Sequence, residues 1–223
     1  MKISATCALM LLTLTTLGVG AQTPVAPADP AAAAQAVRVP PPTVDPAKEL
    51  KGTALVEALR KGGYVLYMRH AETGTVTPVC TQGNLTANGE EMARTVGAAI
   101  GKLKLPFAAI YASELCRAQD TARLLDLGPV SITPDLNPPG VHPGVDVATL
   151  RKKRLSEVPA AGSNTLLVAH MVGAPKFEDW IHMEMAEVAV YRPDGHGGSE
   201  PVARIPLARW EELIKAAENN ASR

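Results

Sequence analysis

The chain has 223 residues, enough for one ordinary domain once its ends are set aside. Its 22 Lys plus Arg balance 22 Asp plus Glu, which excludes a general electrostatic attraction to nucleic acid or to an anionic membrane, so any anion site must be local. Aromatic residues make up only 4% of the sequence while Ala, Leu and Val abound, a bias that suits helices packed on a short-stranded sheet.

The chain opens with Met1-Lys2, an apolar run through Ala8-Leu9-Met10-Leu11-Leu12 to Leu17, and the small residues Gly18-Val19-Gly20-Ala21. That order predicts a signal peptide over residues 1–21, cleaved after Ala21, and a mature chain in the periplasm or outside the cell. The apolar run is shorter than the roughly 20 residues of a spanning helix, and no later segment is long enough, so no transmembrane span is expected in the mature chain. Residues 22–46 are mostly Ala and Pro and read as a linker. The folded domain is expected over residues 47–220.

Within the domain, Leu50, Leu55, Val56 and Leu59 mark a first helix from about Ala47, stopped by Gly62-Gly63. Tyr64-Val65-Leu66-Tyr67-Met68 reads as a buried strand, followed by a helix opened by Thr86. The pattern recurs at Ala109-Ile110-Tyr111-Ala112 with a helix capped by Ser113, and at Thr165-Leu166-Leu167-Val168-Ala169 with a helix from Val172 onward. Val188 to Tyr191 and Val202 to Ile205 flank the turn Asp194-Gly195-His196-Gly197-Gly198, a hairpin, and a last helix runs from about Leu207 to Ala217. The expected class is α/β, a three-layer α/β/α sandwich with a largely parallel central sheet and a C-terminal hairpin.

In such sheets ligands bind outside the carboxyl ends of the strands. Arg69 and His70, Arg117, and His170 all follow strand ends. Singly, a strand-end His is often a hydrogen-bonded structural group and an Arg on a helix a solvated one. Together they suit phosphoryl transfer, in which one imidazole attacks phosphorus while guanidinium groups and the second imidazole hold the oxygens.

These residues resemble the histidine phosphatase superfamily. Tyr67-Met68-Arg69-His70-Ala71-Glu72-Thr73 is similar to its Arg-His-Gly signature, Leu85-Thr86-Ala87-Asn88-Gly89 to its Leu-Thr-x-x-Gly element, Ser113 through Ala122 to its Ser-x-x-x-Arg-Ala-x-x-Thr-Ala helix, and Leu167-Val168-Ala169-His170 to its second histidine. The resemblance implies that His70 becomes phosphorylated, that Arg69, Arg117 and His170 hold the phosphate, and that a small phosphorylated substrate is hydrolysed without a metal or other cofactor. Thr73 is a candidate phosphate-binding hydroxyl or a loop cap, and Ser113 a further candidate at the phosphate. For the general acid the resemblance points first to Asp135, which reads equally well as a turn residue, with Glu187 as the alternative.

The sequence departs from the family pattern in three places. Ala71 stands where Gly is usual, no Arg occurs in Cys80-Thr81-Gln82-Gly83-Asn84, and Gly173 or its neighbour falls where a polar residue is usual. The departures keep open a weak or inactive phosphate-binding module; a phosphomutase fits less well with export. Arg151-Lys152-Lys153-Arg154 reads as a solvated run or a second anion site. The absence of Cys-x-x-Cys and His-Glu-x-x-His argues against zinc, and His142, His182 and His196 read as surface or turn residues. After processing, Cys80 and Cys116 remain and are expected to form a disulfide in an oxidising compartment.

Overall fold

The computed structural model describes residues 44–81, 83–171 and 183–221. The expected signal peptide, nearly all of the linker, the helix from Val172 onward, Gly173 and His182 lie outside the described residues.

The first helix, α1 (Gly52–Lys61), starts later than the periodicity suggests. Leu50 N–H is committed to Val202 O at 2.8 Å, so the chain before Gly52 lies against the last strand instead of coiling. Gly62 ends the helix at φ 83°, donating to Ala58 O, where a side chain would collide with the Ser163 backbone. β1 (Val65–Arg69) follows, then α2 (Ala87–Lys102), whose first turn is capped by Thr86 Oγ1 accepting from Gly89 N–H at 2.9 Å. β2 (Phe107–Ala112) leads to α3 (Cys116–Leu124). Ser113 does not cap α3 as expected: the residue preceding the helix is Leu115, and Ser113 Oγ instead accepts from Leu115 N–H at 3.2 Å, two residues short of the helix. β3 (Ser131–Ile132), a short 3-10 turn over Pro134–Leu136, α4 (Val147–Ser156), β4 (Asn164–Ala169), the hairpin β5 (Val188–Pro193) and β6 (Ser199–Ile205), and α5 (Arg209–Ala221) complete the order.

The sheet has the order β3-β2-β4-β1-β5-β6. β3, β2, β4 and β1 are parallel and the hairpin pairs antiparallel, as expected. Asp194 Oδ1 closes the hairpin by accepting from His196 and Gly198 N–H. β1 lies between β4 and β5, which explains why it is apolar on both sides: Leu66 and Met68 face a core with α1, α2, α3 and α5, while Val65 and Tyr67 face a second cluster with Leu136 and Leu155. α4 covers this second face. Among the described residues no helix is long and apolar enough to cross a membrane.

The basic run on α4 is not one exposed patch. Arg151 is buried and donates to Asn137 O, whereas Arg154 pairs with Asp135 and lies over the Tyr111 ring at 4.5 Å. Only Lys152 and Lys153 stand exposed.

Candidate active site

Parallel registry of β1 with β4 places Arg69 beside Ala169, so His70 and His170 leave adjacent strands at one edge. His70 N–H donates to Ala169 O at 2.9 Å, and the two ring centroids are 5.2 Å apart. β2, next to β4, ends at Ala112 and delivers Ser113 to the same edge, with Ser113 N–H on Val168 O at 3.1 Å.

The loop after His70 is held at each residue. Ala71 N–H donates to Thr121 Oγ1 at 3.0 Å, and Thr121 Oγ1 donates to Arg117 O at 2.7 Å, so the Thr of the helix motif ties the loop to α3. Ala71 is wholly buried and its φ is not in the left-handed region, so Ala is accommodated where Gly is usual. Glu72 accepts from Thr86 Oγ1 at 2.6 Å and Asn88 Nδ2 at 3.0 Å, while a side chain on Gly89 would strike Glu72 O. The Leu-Thr-x-x-Gly element is thus a clamp on the loop after His70. Thr73 closes the loop's far end through a single antiparallel bridge to Leu85.

His70 Nδ1 lies 2.8 Å from Ala71 O. A carbonyl oxygen can only accept, so Nδ1 carries the proton of the neutral ring and Nε2 presents its lone pair. That lone pair faces Arg117 Nε at 3.2 Å, and the same Nε–H lies 3.2 Å from His170 Nδ1. Arg117 thus stands between the two imidazoles. Arg69 Nη1 donates to Met183 O at 2.7 Å, and its buried Nε has no hydrogen-bond partner among the described residues.

Burial, followed by the neighbouring Arg117 and Arg69 charges, pushes His70 down to about 4, against the Ala71 hydrogen bond that favours its charged form. His170 is pushed down to about 2, first by burial, then by Arg117, His70, Arg151 and Arg69. Arg69 and Arg117 are themselves lowered by burial, and Arg117 further by Arg69. Two neutral imidazoles among half-buried guanidinium groups form a site that an oxyanion would complete.

The carboxylates nearby are engaged elsewhere. Asp135, the first candidate acid, accepts from Arg154 Nε at 2.8 Å. Glu187, the alternative, is buried with one oxygen on Arg204 Nε at 2.6 Å and the other on Glu184 N–H at 2.7 Å. Its turn includes Ala186 at φ 60°, and its carbonyl accepts from Arg69 N–H at 3.1 Å. Glu187 therefore shapes the turn that carries Met183 beneath Arg69.

Sequence reasoning missed Asn137, Glu114 and Tyr67. Tyr67 Oη donates to His170 O at 2.8 Å, and Asn137, wholly buried, bonds Ser113 and Glu114. His142, expected as a surface or turn residue, is half exposed but bonded to Glu114 Oε2. A lone Asn beside two prolines after a strand was the available signal. Among the described residues no group of three or more His, Cys, Asp or Glu is placed to hold a metal ion.

Cys80 and Cys116 are joined in a disulfide, Cα to Cα 5.7 Å. The bridge links the loop after His70 to the first residue of α3, immediately before Arg117.

Residues 65–153 match the family model of the histidine phosphatase superfamily, branch 1. The matched segment runs from β1 into α4 and includes His70 and Arg117 but not His170. The fold is similar to that of the protein histidine phosphatase SixA complexed with tungstate, at 18% identity, over 66% of this chain and 98% of that chain, with a TM-score of 0.52. Also similar are phosphoserine phosphatase structures from Entamoeba histolytica, with phosphoserine (16% identity, 65% and 97% of the two chains, TM-score 0.46) and with 3-phosphoglyceric acid (18%, 67% and 98%, 0.46). No protein of curated function matches the sequence. The family match covers the segment from β1 into α4, and the likeness to the solved structures, all below 25% identity, is one of fold.

Proposed function

We propose that the chain hydrolyses phosphate monoesters through a phosphoryl group carried on His70 Nε2, and that it does so outside the cytoplasm. The observation that carries this reading is the unprotonated Nε2 of His70 and Nδ1 of His170 meeting at one Arg117 Nε–H. His70 Nε2 attacks phosphorus, the P–N bond forms as the ester P–O bond breaks, and Arg69 and Arg117 hold the oxygens. Water then attacks phosphorus, the P–N bond breaks, and phosphate leaves with the imidazole restored to its neutral form.

With Asp135 and Glu187 both committed to arginines, the leaving oxygen has no free carboxylic acid supplied by either. That favours substrates whose leaving group departs without a proton, and aryl phosphates should turn over faster than alkyl phosphates. Export is supported by the signal-like residues 1–21 and by the disulfide, which persists in oxidising compartments. The test is turnover of an aryl phosphate by mature protein and by His70→Ala. Turnover should fall by at least about 1,000-fold in the variant, with the melting temperature kept. Comparable rates in both proteins would remove His70 from the chemistry. No turnover by a folded wild-type protein that still binds phosphate would leave the phosphate-binding module.

A further inference from the structure

We infer that Asn137 is a positioning residue that holds His170 in the tautomer with its proton on Nε2, so that Nδ1, the nitrogen facing the phosphate site, gains a proton only when an anion is bound. The inference rests on the proposed phosphate site and concerns how its second histidine works.

The hydrogen bonds allow one assignment of donors and acceptors. Glu114 N–H can only donate, and it points at Asn137 Oδ1 at 3.0 Å, so that amide atom is the oxygen. The Asn137 amide nitrogen confirms the orientation by donating to Glu114 Oε2 at 2.6 Å. Ser113 Oγ lies 2.8 Å from Asn137 Oδ1, which has no proton to give, so the hydroxyl donates there. With its single proton spent, Ser113 Oγ can only accept from the ring, and His170 Nε2, 2.7 Å away, is the donor. His170 Nδ1 is then the lone-pair nitrogen of the neutral ring. Independently, Arg117 Nε–H points at it, as a donor would at an acceptor.

The other tautomer would let a neutral His170 donate to an oxyanion through Nδ1–H. The Asn137 arrangement forbids that, because Nε2 keeps its proton. An anion bound at Nδ1 recruits a second proton, and His170 meets it as an imidazolium instead of a neutral donor. The charge is the stronger partner for phosphoryl oxygens. Glu114, with His142 on the same oxygen, fixes Asn137 from behind.

Long-range proton–nitrogen correlation spectra of histidine-labelled protein at neutral pH test this, with the His170 signals identified by their loss in His170→Gln. Apo wild type should show a proton on Nε2 and a bare Nδ1, and tungstate should protonate Nδ1 while Nε2 keeps its proton. A proton on Nδ1 in the apo protein overturns the inference without any variant, as does a bare Nδ1 with tungstate bound. Asn137→Leu frees the Ser113 hydroxyl to turn toward the ring and should move His170 toward the Nδ1–H form; an unchanged tautomer in that folded variant removes Asn137 from the role. Should Asn137→Leu not fold, the paired change Asn137→Asp with Glu114→Gln decides. It retains an acceptor toward Ser113 and should retain the Nε2–H tautomer; loss of that tautomer counts against the inference. Since the tautomer is read without turnover, an inactive protein with Nε2–H would refute the phosphatase reading and leave this one standing.

Discussion

The two faces of the sheet are built to different ends. On one, Leu66, Met68, Leu166 and Val168 pack under α1, α2, α3 and α5 into the larger apolar cluster, with buried Asn164 bonding Leu59 O at its edge. On the other, Tyr67 and Leu167 share the interior with buried Arg151 and Asn137, and α4 closes over them. Burying a guanidinium and an amide costs free energy that only their hydrogen bonds offset, so this face stabilises less per residue buried. What it provides is orientation: Tyr67 holds the His170 carbonyl, and Asn137 holds Ser113. Fold stability should therefore be most sensitive on the first face, and chemistry on the second face and the strand ends.

A large stability effect should also come from a feature on neither face. Opening the Cys80–Cys116 bridge releases a loop of 36 residues, about 4 kcal/mol in the chain-entropy model. Reduction should lower the melting temperature and also weaken tungstate binding, because Cys116 precedes Arg117. Calorimetry and titration on oxidised and reduced protein check both, and two free thiols in protein purified without reductant would remove the premise.

Next, Leu66→Ala on the apolar face should cost about 2–5 kcal/mol, read from urea unfolding, while the folded fraction keeps its turnover. A variant that stays stable yet loses activity would reverse the assignment of the faces.

The smallest effect, taken per pH unit, tests the site's electrostatics. His70 at about 4 and His170 at about 2 bind fewer protons folded than unfolded, where the ordinary value is 6.5. Stability is thus complete above about 6.5 and is lost as pH falls toward 4 for His70 and toward 2 for His170, on the order of 1 kcal/mol per pH unit for each histidine. His170→Gln should flatten the melting temperature against pH below 6, and tungstate should do the same in wild type. Equal slopes in wild type and variant would mean that His170 does not titrate as its surroundings demand.

Much of this was legible in the sequence. The apolar strands, the Thr86 cap and the hairpin turn are local patterns, and the four motifs brought His70, Arg69, Arg117 and His170 to one edge because parallel pairing aligns strand ends. The cysteine pairing followed from the expected compartment and the count. What escaped depends on distant geometry. Asp135 reads as a free acid until α4 folds back and sets Arg154 against it, and Glu187 until β6 brings Arg204 across the hairpin. Ser113 reads as a helix cap, yet its hydroxyl donates to Asn137 and accepts from His170, a residue 57 positions away. Asn137 carries no charge and no motif, so only its buried neighbours reveal it.

The claim on which the account turns is that phosphorus is carried on His70 Nε2. Protein mixed briefly with a phosphorus-labelled aryl phosphate and quenched in alkali should retain label on the peptide bearing His70. The label should survive base, be lost in acid and be missing from His70→Ala. Label that survives acid, or that persists in His70→Ala, would contradict it.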